Sequence, residues 1–250
     1  MFGNKKKKAK KYFEEGLSRL HSEQLPAAIA YFESAVSNDP ENPDYWYHLG
    51  ISKRESSKKY KITRGTLDEL PNLLNNPGAG NVDELDEAYR CFEKFSELSP
   101  GSHAFGILGD IASDRNDYLN GIKHYEKAFE CLKTECVSDH PDEIELNHKS
   151  QSKILGNIGV CHAEVLYAFM NNTEVGKELL TKLGFYEKDG MIIDGINGTE
   201  IPKIEFIQKQ AKRALTYYRL AYQADEDSEI AQNNYDSFRE FYLKNISDHE

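Results

Sequence analysis

The sequence predicts an all-helical solenoid of about four helix-turn-helix repeats, with two inserts and a closing helix, forming one domain over residues 1–250. Three observations lead there. Gly16 and Gly50 lie 34 residues apart, at the same place on the amphipathic segments "YFEEGLSRL" and "WYHLGISKR". Ala28, Phe32, Ala35 and Pro40 follow Gly16 at offsets of 12, 16, 19 and 24, and Ala88, Phe92, Phe95 and Pro100 repeat their mutual spacing. Hydrophobic residues make up 39% of the chain, enough to build a core along such an array.

Glycine is the ruler because inside a helix it costs about 1 kcal/mol against alanine, so a recurring one has a packing reason. The first repeat spans about 9–42: Gly16 and Ala28 let two antiparallel helices approach, Tyr12, Phe32 and Ala35 fill the seam, and Pro40 stops the second helix. The second spans 43–101. Its first helix carries Trp46, Leu49 and Gly50, but Ala88 stands where residue 62 is expected, so 26 residues, 57–82, are inserted between its two helices. The third, 102–150, carries Phe105, Leu108, Gly109, Gly121, Tyr125 and Ala128. Gly159 then comes 50 residues after Gly109 instead of 34, so the second helix of this repeat is expected to lengthen. The fourth, 152–227, takes Leu155, Ile158 and Gly159, pauses through an insert at 173–203, and resumes with Ala214, Tyr218 and Ala221. "SEIAQNNYDSFREFYLKN" supplies a capping helix over 228–245, its polar residues covering the last repeat.

This spacing, with W-x-x-L-G at Trp46, Leu49 and Gly50 and A-x-x-x-[FY]-x-x-[AF] in each second helix, resembles the tetratricopeptide repeat. "HPDEIELNHKSQSKILGNIGVCHAEV" looks like the longer-helix variants of that family. The resemblance covers about 200 of the 250 residues. It implies a non-catalytic protein-binding module or assembly scaffold, with a concave groove lined by the first helix of each repeat. At the groove positions stand Phe13 and Leu17; Tyr47, His48, Ile51 and Arg54; His103, Ile107 and Asp110; then Lys153, Asn157 and Val160. A peptide or partner helix would be read there. Co-chaperone members of the family clamp a terminal carboxylate with Lys, Asn and Arg. Phe13, Leu17, His48, His103 and Ile107 occupy those places here, so that role is not expected.

In the first insert, Thr66 and Glu69 form a capping-box pattern ahead of Leu67, Leu70, Leu73 and Leu74, and Lys58, Lys59, Lys61 and Arg64 make the segment basic. In the second, Asp189-Gly190 between "FYEK" and "MIID" predicts a small β-hairpin with a two-residue turn.

A net charge of −11 argues against a general nucleic-acid binder. "KKKKAKK" is the exception, with six lysines between Lys5 and Lys11; a solvated, partly frayed terminus is expected, and contact with an anionic membrane or nucleic acid is the alternative, shared with the basic first insert. No apolar run follows these lysines and none reaches the ~20 residues that span a bilayer, so a cytoplasmic protein is expected. Cys91, Cys131, Cys136 and Cys161 are few and irregularly spaced, as in a reducing compartment.

No phosphate-binding, zinc-protease or nucleophile-elbow motif occurs, so neither an enzyme nor a cofactor is expected. Cys131, Cys136, His140 and His148 give C-x4-C-x3-H-x7-H, a spacing of no closed tetrahedral zinc motif. Asp194 to Glu200 falls short of a calcium loop because Gly195 stands where a ligand is needed.

Overall fold

A computed structural model describes residues 2–63, 82–135, 141–171 and 173–246. The chain divides into two compact units, Met1–Asn116 and Asp117–Glu250. In both, each helix packs on its neighbour in the chain, the nearest-neighbour pattern of an all-helical repeat array.

The first unit holds α1 (Phe2–His21), α2 (Leu25–Asn38), α3 (Pro43–Thr63), α4 (Val82–Leu98) and α5 (Ser102–Asp114). Pro43 opens α3, a place where its missing N–H would have had no helical acceptor. The glycine ruler has the packing reason expected of it. A Cβ on Gly16 would stand 2.6 Å from Phe32 Cε1, and one on Gly50 would stand 2.8 Å from Phe92 Cε2. Each glycine is therefore the seat of an aromatic ring from the second helix of its own repeat. Ala9, Ala28, Ala35, Tyr45 and Leu49 close the core around Phe32; Leu85, Ala88, Leu108 and Ile111 do so around Phe92. The Trp46 indole N–H donates to the Pro40 carbonyl at 2.7 Å, tying the start of one repeat to the end of the last.

The second unit holds α6 (Tyr118–Glu135), α7 (Pro141–Met170), α8 (Glu174–Lys182), strands β1 (Phe185–Lys188), β2 (Met191–Asp194) and β3 (Glu200–Pro202), then α9 (Lys203–Ala224) and α10 (Glu229–Asn245). α7 and α9 form the fourth repeat. A Cβ on Gly159 would stand 2.9 Å from Tyr218 Cδ1, the same glycine-ring seat again.

The expected hairpin is present: Lys188 pairs with Met191 across Asp189 and Gly190, whose φ angles of 52° and 78° are the positive pair this turn demands. A third strand pairs Ile192 with Ile201, and α8, capped by Thr173 accepting from the Gly176 N–H, precedes the sheet. Leu179, Leu180 and Ile192 pack on Val165 and Phe169 of α7 and Phe206 of α9. The second insert thus belongs to the core of its repeat.

Three expectations need correction. The lysines of the N-terminus are not frayed: all six lie within α1 and are exposed, while Ala9 between them is buried. α3 runs to Thr63, past residue 57 where the insert was expected to begin. The extra length near Gly159 falls mainly to α7, with 30 residues, against 18 for α6. The leucine-rich helix expected at Thr66 to Leu74 lies outside the described residues, as do Cys136 and His140. No helix of the described residues is long and apolar enough to cross a membrane.

Candidate partner-binding surface

Residues three, four and seven apart share a helix face, which is why the groove positions recur on α1, α3 and α5 at those spacings. In the first unit the structure joins four of them into one row of rings. Phe13 of α1 meets His48 of α3 edge-on at 4.9 Å between centroids, His48 meets Tyr47 at 5.2 Å, and Tyr47 meets His103 of α5 at 5.5 Å. These separations lie in the range where aromatic rings attract beyond their buried area, about 4.5–7 Å. Phe13, Tyr47 and His48 are half-buried and His103 is exposed, so the row is not sealed within the core. His48 Nδ1 lies 2.9 Å from the Asp44 carbonyl, which can only accept, so Nδ1 is the donor at this contact.

Arg54 reaches from α3 to α5. Its Nη2 donates to Asp114 Oδ2 at 2.8 Å, Nε donates to the same oxygen at 3.3 Å, and Nη1 lies 3.9 Å from Asp110. Arg54 and Asp110 are thus brought together with Asp114, which sequence reasoning missed although it lies four residues beyond Asp110. Phe95 was missed as well: it sits 5.3 Å from Tyr47 and 6.4 Å from His103, extending the row onto α4. Its signal was its place in the second-helix pattern, which suggested only a core role.

Leu17 and Ile51 are half-buried against the cores around Phe32 and Phe92. Ile107 is 8% exposed and belongs to the second of these cores. In the second unit, Lys153 is exposed, Val160 is at the margin of exposure and Asn157 is half-buried, all on α7.

Elsewhere in the first unit, Lys53 bridges Glu33 of α2 and Glu87 of α4. Burial works against its charge, but the two carboxylates outweigh it and hold its pKa above the ordinary lysine value. Beside it, burial pushes the Cys91 thiol up to about 12, which makes it an inert packing group. Cys161 is wholly buried among Ile122, Tyr125 and Ile158. Asp194 spends its carboxylate on the backbone N–H groups of Ile196 and Asn197 and on the Asn197 side chain. The chemistry on offer is stacking, hydrogen bonding by imidazole and charge pairing.

No family model matches the chain. It is 43% identical over 47 residues to the PEX5-related protein of Rattus norvegicus, covering 19% of this chain and 8% of that protein. It is 30% identical over 113 residues to the meiotically up-regulated gene 165 protein of Schizosaccharomyces pombe, covering 41% of this chain and 38% of that one. The chain therefore spans less than two fifths of the length of these curated relatives. Among solved structures, residues 41 to the end of MamA from Desulfovibrio magneticus RS-1 align with a TM-score of 0.49 at 11% identity, over 95% of this chain and 92% of that one.

Proposed function

We propose that this chain, whose helix pairs are repeats of the tetratricopeptide type, is a non-catalytic protein-binding scaffold of the cytoplasm. The observation that carries this is the ring row Phe13–His48–Tyr47–His103, which runs across three successive first helices and is only partly buried. A core needs no such exposed continuity, whereas a peptide or partner helix laid across the first helices would stack on it and hydrogen-bond to its imidazoles. Lys153 and Asn157 are the corresponding positions of the fourth repeat.

His103 is the residue to test, because it is exposed, while Tyr47 and Arg54 also hold α3 against its neighbours. Affinity capture with the full chain beside His103→Glu, with a photo-crosslinking amino acid at 103 in a third sample, is expected to show a crosslinked partner whose recovery falls by at least about tenfold in the Glu variant. Equal recovery by both chains, with no crosslink at 103, would remove the ring row as the binding surface.

A second reading, an adaptor for an anionic membrane or nucleic acid, has the six exposed helical lysines of α1 in its favour. Deleting residues 1–11 would also remove buried Ala9, so the test is Lys→Ala at Lys5 to Lys8, Lys10 and Lys11. If this reading holds, binding to anionic vesicles or single-stranded DNA at low salt disappears in the variant. Unchanged binding rejects it.

A further inference from the structure

His162 lies nine residues after Lys153 on α7, which at about 100° per residue places it half a turn round the helix, on the opposite face. There the second unit has a cleft of about 1120 Å³, lined by α6, α7 and α9 and by Phe185 and Ile201 of the insert. Its apolar floor includes Ile122, Val165 and Phe206, all buried. Its rim carries five cations, Lys123, Lys182, Lys209, Lys212 and Arg213, against two carboxylates, Glu126 and Glu205, in a chain whose net charge is −11.

Several of these charges are already engaged. Lys182 pairs with Glu178 at 3.1 Å, and the Tyr217 hydroxyl donates to Glu126 at 3.2 Å. Lys209 and Arg213 stand one helical turn apart on α9, exposed, with no ion pair among the described residues. His162 is only 8% exposed, its ring stacked on Tyr217 at 5.3 Å and 16°. No hydrogen bond engages its ring nitrogens among the described residues, and they are not among the fully buried polar atoms left without a partner, so water or a ligand can reach them. Burial, reinforced by Arg213, pushes its pKa down to about 4, so near neutral pH one nitrogen donates and the other accepts.

We propose that this cleft docks an acidic segment of a partner protein. Carboxylates of the segment meet Lys209 and Arg213, an aliphatic or aromatic side chain lies over Val165 and Phe206, and a polar group of the segment hydrogen-bonds His162. The cations come from α6, the insert and α9, with apolar side chains lining the same cleft, a mixture that favours an extended chain over a compact anion. A nucleic-acid backbone is disfavoured by Glu126, Glu205 and the overall negative charge. The site is separate from the ring row on α1, α3 and α5, and neither surface requires the other.

Random linear peptides displayed on phage, selected against the full chain and counter-selected against Lys209→Glu/Arg213→Glu, test it. Both residues are exposed, so the double variant is expected to keep its helical circular dichroism and melting temperature. Enriched peptides should carry two or more carboxylates flanking a large apolar residue. As synthetic peptides they should bind at least about tenfold more weakly to the double variant, while His103→Glu leaves them unaffected. Enrichment without acidic residues, or affinity for the double variant within about twofold of wild type, would overturn the proposal. So would displacement of the peptides by poly-U RNA that itself binds more tightly, which would assign the cleft to nucleic acid.

Discussion

At the scale of single residues, two glycines in helices have opposite roles. Gly50 seats Phe92, and a Cβ there would stand 2.8 Å from Cε2 of a ring with no exposed surface. Gly106 on α5 has nothing within 4 Å of a Cβ. Gly50→Ala is therefore expected to lose about 1–3 kcal/mol by overpacking, whereas Gly106→Ala gains up to about 1 kcal/mol from helix propensity. Urea denaturation of the two variants checks this, and two changes of the same sign would contradict the seating argument. His162 gives a pH dependence. Its pKa is about 4 in the folded chain against an ordinary 6.5, so between these values the unfolded chain binds the extra proton and stability falls as pH falls. The loss across that window is about 3 kcal/mol for this group, with His124, also lowered first by burial, adding in the same direction. His162→Phe, which keeps the ring on Tyr217, is expected to flatten most of this slope in denaturation curves taken at pH 7 and pH 5.

At the scale of elements, the second insert is held by burial and the turn. Ile192 of β2 is 1% exposed, packed with Phe169 and Phe206, while Ile196 in the following loop is 86% exposed. Ile192→Ala is expected to cost about 2–5 kcal/mol and to loosen α7 and α9 along with the sheet. Ile196→Ala should stay within about 0.5 kcal/mol of wild type. Limited proteolysis gives the readout: cleavage confined to 183–203 in Ile192→Ala, with α9 still protected, would mean that the insert is an appendage and not part of the core. The hairpin could be foreseen because Asp189-Gly190 is a purely local signal. α8 and β3 could not: α8 is nine residues with a glycine inside, and β3 exists only because Ile192 of β2 lies opposite Ile201. The extra length was assigned to the wrong helix for a related reason. A break in period tells how many residues are extra, and the start of α7 at Pro141 decides which helix receives most of them.

At the scale of the whole molecule, charge distinguishes the two surfaces proposed for binding. Against a net −11, cations gather on α1 and round the cleft beside α9, while the ring row on α1, α3 and α5 is mostly uncharged. A scaffold with two separable surfaces predicts that raising salt weakens the acidic-peptide interaction far more than binding at the ring row, measured on one preparation by peptide anisotropy and by crosslinking at position 103. The sequence by itself determined the repeat period, the glycines that recur with it at Gly16, Gly50 and Gly159, and the hairpin turn. All of these follow from periodicity or from neighbours a few residues apart, which a helix or a two-residue turn converts directly into position. Only the tertiary structure decided that Arg54 is shared by Asp110 and Asp114, that the second insert joins the core, and that His162 faces a cationic cleft. Those depend on partners such as Tyr217 and Arg213, more than fifty residues away from His162, whose meeting is set by how helices pack and by no spacing along the chain.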